Sequence, residues 1–268
     1  MLSLLQSLLL GLLQGVAEFL PVSSSAHLVL VPWLLGWPAP SVAFDALLHL
    51  GTALAIIAVF WHDIIRLIIA WVGTIIHRKI NSPEGRLAWL LILSAIPAAV
   101  LGYLFSDLFE RLFGTPRLVA ILLIVTALLL WVSETMARRE RSLESMAWYE
   151  ALLIGVAQGI AIAPGISRSG ATLAAGLLMG FKRQEATRFA FLMAVPVILG
   201  AAGYKLLKAP LAGLQIGVLL AGMMAAAVVG YLVIRVFMNY VRSHSLRPFA
   251  IYCAAFGILC LVVSMVRS

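Results

Sequence analysis

The sequence predicts an all-α polytopic membrane protein built as an inverted-topology repeat. Six transmembrane helices and two re-entrant helical hairpins make a single integral membrane domain. Three observations carry this reading. Of the 268 residues, 63% are hydrophobic and only 11% are Asp, Glu, Lys or Arg, against about 25% charged in a soluble domain. The apolar residues come in long blocks near the ~20 residues a helix needs to cross a bilayer, and not in the ~10-residue alternating segments of a barrel. The chain also repeats itself at a fixed offset. Together these exclude a disordered chain, a disulfide scaffold and a soluble domain.

The elements follow in order. Residues 1–36 are apolar but broken at Pro21–Ser25, with a helix-like run before the break and a short one after it. Irregular backbone at membrane depth is tolerated only where protein or a wet cavity satisfies it, so the region reads as a re-entrant hairpin. Full spans follow at 42–61, 86–105 and 116–134. The loop 62–85 is apolar enough to lie on the surface as an amphipathic helix. Residues 148–180 repeat the first pattern, with a break at Pro164–Ser169, and spans at 186–203, 212–236 and 249–266 complete the chain. Two complete spans in each broken region is the competing reading, and the short second arms favour re-entry. Pro97 and Pro196 fall mid-span, where proline kinks or opens a helix. The tryptophans mostly flank apolar blocks, as an interface belt does. Cys253 and Cys260 are seven apart on one predicted helix, roughly 10 Å, which is too far for a disulfide. The N-terminus lacks the basic start and cleavage pattern of a removable signal, so its apolar block is expected in the mature protein.

The repeat is internal and gapless. Residues 8–28 align on 152–172, an offset of 144, with eight of 21 positions identical. Shared Leu and Ala mean little in apolar helices. The matches Gly11/Gly155, Gln14/Gln158, Gly15/Gly159, Ser23/Ser167 and Ser25/Ser169 carry the argument. The halves are then 1–144 and 145–268, each a hairpin followed by three spans, and three crossings invert the second half relative to the first.

The net charge is +8 and the pI about 10.0. This does not point to nucleic acid, because the bases lie in short links between spans. Thirteen Lys and Arg fall on the side that holds the 62–85 loop, including Arg66, Arg86, Arg139, Arg141, Arg183 and Arg188, and five fall on the other. The basic side is cytoplasmic by the positive-inside rule. The first hairpin then enters from outside, the second from the cytoplasm, and their tips meet near the midplane. Both termini fall outside.

Few polar residues remain within the apolar regions. Gln14 and Glu18 are four apart and share a helix face; Gly11 and Gly15 have the same spacing and suit close helix contact. A carboxylate in hydrocarbon costs on the order of 3 kcal/mol on insertion scales, so Glu18 needs a partner, a wet cavity or a proton. After Pro21, Ser23, Ser24 and Ser25 can cap a new helix whose free N–H groups suit phosphate oxygens. His27 lies three residues from Ser24 and four from Ser23, so either hydroxyl can lie beside the imidazole. In the second region Arg168 is the only base at membrane depth, and it does not discharge. Set among Ser167, Ser169, Gly170 and Thr172, it makes a phosphate clamp or a structural ion pair with Glu18. Asp45 and His49, also four apart, read as a local structural pair.

The run Glu18-Phe19-Leu20-Pro21-Val22-Ser23-Ser24-Ser25-Ala26-His27, preceded by Gln14, resembles the first signature of the bacterial undecaprenyl-diphosphate phosphatases, or bacitracin-resistance proteins. Pro164-Gly165-Ile166-Ser167-Arg168-Ser169-Gly170, with Thr172, is similar to their second. The resemblance covers essentially the whole chain. It implies hydrolysis of undecaprenyl diphosphate, and of related polyprenyl diphosphates, to the lipid phosphate that carries peptidoglycan and envelope precursors. It also implies a divalent cation, Mg²⁺ or Ca²⁺, and an inner-membrane location with the site opening toward the periplasmic face. Bacitracin would compete by sequestering the lipid substrate. The assembly is left open between monomer and homodimer. By this resemblance Glu18, His27 and Arg168 are the acidic, histidine and arginine positions of the site, and Ser23, Ser24, Ser167 and Thr172 line it; the residues expected to be catalytic are Glu18, Ser24, His27 and Arg168, with Glu18 binding the metal or holding His27 in orientation. Gln14, Ser23, Ser25, Ser167, Ser169 and Thr172 bind substrate. Many members carry Glu where this chain has Gln14, which leaves one carboxylate in the motif; Ser25-Ala26 stands where others have Thr-Gly.

Three nucleophiles are open: Ser24 with His27 as base, which the spacing favours, His27 itself, or water. The rival function is a polyprenyl-phosphate transporter or flippase, whose usual architecture is also an inverted repeat with broken helices. The acid-phosphatase-like lipid phosphatases are excluded, since their Lys-x6-Arg-Pro and Arg-x5-His motifs are missing.

Overall fold

A computed structural model describes residues 2–209 and 215–267. Residues 212–214 of the expected span 212–236 lie outside them, as do Met1 and Ser268.

The first apolar region forms α1 (Leu4–Ala17) and α2 (Ser24–Leu35). Ser3 opens α1 with a capping box to Gln6, and Ser23 caps α2. The chain continues as α3 (Val42–Val59), α4 (Trp61–His77), α5 (Pro83–Leu104), α6 (Ser106–Phe113) and α7 (Pro116–Met136). Pro83 and Pro116 sit in the first turns of α5 and α7, where a missing N–H costs nothing. After a 3-10 turn at Leu143–Ser145 come α8 (Trp148–Ile160), α9 (Arg168–Leu178), α10 (Arg183–Lys208), α11 (Ile216–Tyr240) and α12 (Arg247–Val266).

Six of these helices are long and apolar enough to cross a membrane: α3, α5, α7, α10, α11 and α12. They are the six spans expected from sequence. The loop 62–85 does contain an amphipathic helix. On α4, Leu67 and Thr74 are buried, whereas Ile68, Ile69 and Ile76 are exposed. The helix α6 was not foreseen; it is short and buries no residue. Pro97 and Pro196 lie inside α5 and α10, which continue past them. Both cysteines are buried and free.

Packing sets each first arm against a long helix distant in sequence. The first arm α1 lies against α11 of the other half, and the first arm α8 lies against α5 of the first half. Small residues make the first contact possible: a Cβ on Gly11 would stand 2.3 Å from the Gly222 carbonyl oxygen. In the next turn Gly15 meets Ala226 and Gly230. The core beside the first break is aromatic, with Phe19 edge-on to Phe191 at 5.5 Å. Phe19 is 1% exposed, which anchors the chain one residue after Glu18.

Candidate active site

Both breaks come slightly earlier than the sequence suggested, at 18–23 and 161–167, so that Ser24, Ser25, Arg168 and Ser169 already stand in the first turns of α2 and α9. Each second arm starts at a capping serine. The Ser23 hydroxyl accepts from Ala26 N–H at 3.3 Å, and the Ser167 hydroxyl from Gly170 N–H at 3.0 Å. Their N-terminal amides make two anion-attracting ends.

The two tips touch. Gly165 N–H lies 3.5 Å from the Ser25 hydroxyl, Ser169 Oγ donates to the Leu20 carbonyl at 3.2 Å, and the Arg168 guanidinium is paired with Glu18 Oε1. The second tip is also fastened to α7. Thr126 Oγ1 donates to the Gly165 carbonyl at 2.9 Å and accepts from Ser167 N–H at 2.9 Å. Gly165 has φ +107°, and a Cβ there would lie 2.5 Å from the Val119 carbonyl oxygen. Only glycine suits that turn.

Glu18 is the hub. Its carboxylate is 4% exposed. Gln14 Nε2 donates to Oε2 at 3.0 Å, Ser24 Oγ donates to the same oxygen at 2.5 Å, and Arg168 takes Oε1. The two membrane-depth charges expected from sequence are therefore partners. A buried pair of this kind offsets a desolvation cost that either charge alone would leave standing.

His27 points elsewhere. Its Nδ1 lies 2.8 Å from the Ser23 carbonyl and its Nε2 2.7 Å from the Tyr252 hydroxyl. A carbonyl only accepts, so Nδ1 carries the hydrogen; in the neutral ring Nε2 then accepts from Tyr252. The ring is stacked against Tyr252 and Phe256 of α12, with centroids 5.7 and 5.0 Å away. The expected Ser24–His27 contact is replaced by Ser24–Glu18 and His27–Tyr252. The cause is local. Ser23 adopts φ 67° and ψ 93°, a conformation that costs ~1–3 kcal/mol for a residue other than glycine. The Ser23 carbonyl takes the first backbone bond of α2 from His27 N–H at 3.2 Å and faces the imidazole of the same residue.

The other expected residues divide. Ser167 and Ser169 lie 3.2 Å apart through their hydroxyls, as do Ser23 and Ser25, and all four line the junction of the tips. Thr172 Oγ1 donates to the Arg168 carbonyl at 2.8 Å and steadies the helix turn that carries the guanidinium. Gln158, the repeat counterpart of Gln14, is buried in α8 and its amide atoms have no hydrogen-bond partner among the described residues.

Two residues enter that the sequence reading did not place here. Tyr252 has no polar neighbour in its own apolar block to announce it. His49 was read as a local partner of Asp45, and that pairing exists at 3.5 Å. It extends further on both sides: His49 Nε2 lies 3.7 Å from Glu18 Oε2, and Asp45 is paired with Lys205 at 2.8 Å. The four-residue spacing of Asp45 and His49 was the visible signal; their reach to α10 and Glu18 crosses between helices.

The donor set for a cation is modest. Among the described residues no group of three or more His, Cys, Asp or Glu side chains could hold a metal ion. Glu18 supplies one carboxylate, and beside it Gln14 Oε1 is a buried acceptor without a partner. That orphaned oxygen fits a cation that also takes oxygens from a phosphate ligand.

The chain matches the family model described as bacitracin resistance protein BacA over residues 7–259. It is 43% identical over 265 residues to the undecaprenyl-diphosphatase of Moorella thermoacetica, covering 99% of both chains. It is also 43% identical over 254 residues to that of Pelobacter propionicus, covering 93% of both. With the undecaprenyl-diphosphatase of Rubrobacter xylanophilus it shares 43% over 265 residues and 97% of both chains. The paired charges, the serine-capped arms and the full-length similarity lead to one assignment: the chain belongs to the BacA bacitracin resistance protein family.

Proposed function

We propose that this chain hydrolyses undecaprenyl diphosphate to undecaprenyl phosphate and inorganic phosphate, recycling the lipid carrier for peptidoglycan and envelope polymers. The observation that carries the reading is the hub at Glu18, where a nucleophile-bearing arm and a cation-bearing arm meet on one carboxylate.

The chemistry follows from the placement. The terminal phosphoryl group is held by Arg168 and the free amides that open α2 and α9, which neutralise its equatorial oxygens. Arg168 exchanges Glu18 for phosphate when the diphosphate enters. Released from that pair, Glu18 takes the Ser24 proton across the existing 2.5 Å hydrogen bond as Ser24 Oγ bonds to phosphorus. The bond from phosphorus to the bridging oxygen breaks, and undecaprenyl phosphate leaves with that oxygen. Water then attacks the phosphoserine, and Ser24 recovers its proton as inorganic phosphate departs. His27 shapes the arm from behind through Ser23 and Tyr252. A divalent cation, Mg²⁺ or Ca²⁺, would be held by Glu18 and the Gln14 amide oxygen and would supply further neutralisation of the diphosphate charge. With Gln14 in place of a second carboxylate, this chain's residues would offer such a cation only one charged ligand.

The broken helix pairs α1–α2 and α8–α9 are read as re-entrant hairpins of two inverted halves, 1–144 and 145–268. Supporting this is the reciprocal packing of α1 on α11 and α8 on α5. The basic side is cytoplasmic, both termini lie outside, and the site opens toward the periplasmic face of the inner membrane. The polyprenyl tail leaves between helices into lipid, and bacitracin competes by binding that lipid. The assembly is monomeric or homodimeric.

Phosphate release from undecaprenyl diphosphate by the purified full-length protein in detergent tests the function. Release that needs a divalent ion and is lost in Arg168→Ala is the expected result. Lipid translocation by reconstituted protein with no phosphate release would favour the transporter reading.

A further inference from the structure

Away from the hub, several membrane-spanning helices end together. The helix α7 closes at Met136, α10 opens at Arg183, α11 closes at Tyr240 and α12 opens at Arg247. Glu134, near the end of α7, joins them: Arg183 pairs with it, and the Leu246 N–H donates to it at 3.3 Å. A partly enclosed cavity of about 280 Å³ lies at these ends. Four bases line it, Arg139, Lys182, Arg183 and Arg242, against one acid, Glu185. The bases are not spent alike. Arg139 and Arg183 share the Glu134 carboxylate. The side chains of Lys182 and Arg242 have no ion pair or hydrogen bond among the described residues. Lys182 stands at the N-cap of α10, an end that no side chain caps. The first turn of that helix itself lines the cavity, so its free N–H groups add to the positive field. Fixed positive charge in a concave site attracts an anion. The place in the fold says which kind. The cavity sits where apolar spans end, and the closing turns of α7 and α11 leave Met136 69% and Val236 70% exposed. A phosphate that carries acyl chains meets both surfaces; a free phosphate uses only the cavity.

We propose that this cavity binds the phosphate headgroup of an anionic phospholipid, with Lys182 and Arg242 as its cationic contacts and the first-turn amides of α10 beside them. Arg139 and Arg183 keep their places on Glu134 and add to the field. The site lies at the opposite end of α10 from Lys205, whose partner Asp45 adjoins the hub through His49. It is therefore independent of the phosphatase reading: lipid is held here whether or not the hub turns over diphosphate.

The test is native mass spectrometry of the full-length protein in detergent, titrated with phosphatidylglycerol or with phosphatidylcholine of the same acyl chains. Tighter binding of phosphatidylglycerol is the expected result. In the double variant Lys182→Gln/Arg242→Gln its affinity should fall by about 10- to 30-fold, since each base near an anionic lipid surface contributes a factor of about 5. Neither side chain carries a protein contact, so the Glu134 ion pairs stay in place. Lys182→Arg/Arg242→Lys, which keeps both charges, should retain the preference. The control Arg78→Gln/Lys79→Gln removes two exposed bases beyond α4 and should retain it too. Equal affinity of the wild-type protein for the two lipids overturns the proposal. So does an equal loss in the cavity variant and the control, which would reduce the effect to net charge. Equilibrium dialysis with radiolabelled inorganic phosphate separates the two sources of phosphate. Free phosphate retained by the wild-type protein and lost in Lys182→Gln/Arg242→Gln, with no preference between the lipids, assigns the cavity to the free ion and overturns the lipid assignment.

Discussion

Single side chains decide the chemistry. Ser24 is fixed by one hydrogen bond to Glu18, and its loss in Ser24→Ala should lower phosphate release by ~10³-fold or more, as removal of a nucleophile does. Arg168→Lys keeps the charge but loses the planar fork; a drop on the order of 10²-fold in kcat/KM is expected from steady-state kinetics. Tyr252→Phe removes one neutral hydrogen bond, ~0.5–1.5 kcal/mol. Kinetics should show a loss of about 2- to 10-fold, with Tyr252→Ala worse because the stacking on His27 goes too. Glu18 and Arg168 were legible from the sequence because they are charges without neighbours in apolar segments. The direction of His27 was not. The spacing of Ser24 and His27 permits contact, but the Ser23 carbonyl one turn back takes the imidazole nitrogen instead. The reach of His49 to Glu18 was hidden for another reason: it depends on how α3 packs beside α1, which no local spacing encodes.

At the scale of elements, the two breaks do the positioning. Each combines a proline, a run of small residues and a capping serine, so both were visible as interruptions of an apolar pattern. The six spans were legible from hydropathy, and α4 from its two-faced composition. The helix α6 was not, because it is short and packs nothing into the core. Thr126 was equally silent, a lone hydroxyl in the α7 run that fastens the second tip through two hydrogen bonds. The Gly165 turn is the most sensitive point. Gly165→Ala forces a side chain into a positive-φ position and against the Val119 carbonyl. Thermal unfolding in detergent should show a destabilisation of roughly 1–3 kcal/mol, and activity should fall further than stability because Arg168 follows in the same turn.

Over the whole molecule, the sparse charges sort into two sets. Those away from the hub tie helices to one another. Asp63 pairs with Arg188, Glu134 with Arg183 and Arg139, and Arg141 with Glu150 at 2.6 and 2.9 Å. The hydrogen bonds to Glu150 hold the Arg141 guanidinium above its ordinary pKa. Arg139, Arg141, Arg183 and Arg188 were assigned to one side from sequence as topological charges; their partners lie on several helices and became visible only in three dimensions. Glu134 is 3% exposed and also accepts from the Leu246 N–H. Glu134→Ala leaves two guanidinium groups and that amide without it, and calorimetry in detergent should show a loss of ~3 kcal/mol or more. The second set is the hub itself, where the halves meet through Glu18 and Arg168. In the proposed mechanism Ser24, held by Glu18 at this junction, receives the phosphoryl group. Turnover of undecaprenyl diphosphate labelled in its terminal phosphate, quenched in parallel with acid and with detergent at alkaline pH so that phosphoserine and acid-labile phosphohistidine are both retained, gives the test. Label on the peptide containing Ser24, and none in Ser24→Ala, is the expected result. Label on His27, or full turnover by Ser24→Ala, would contradict it.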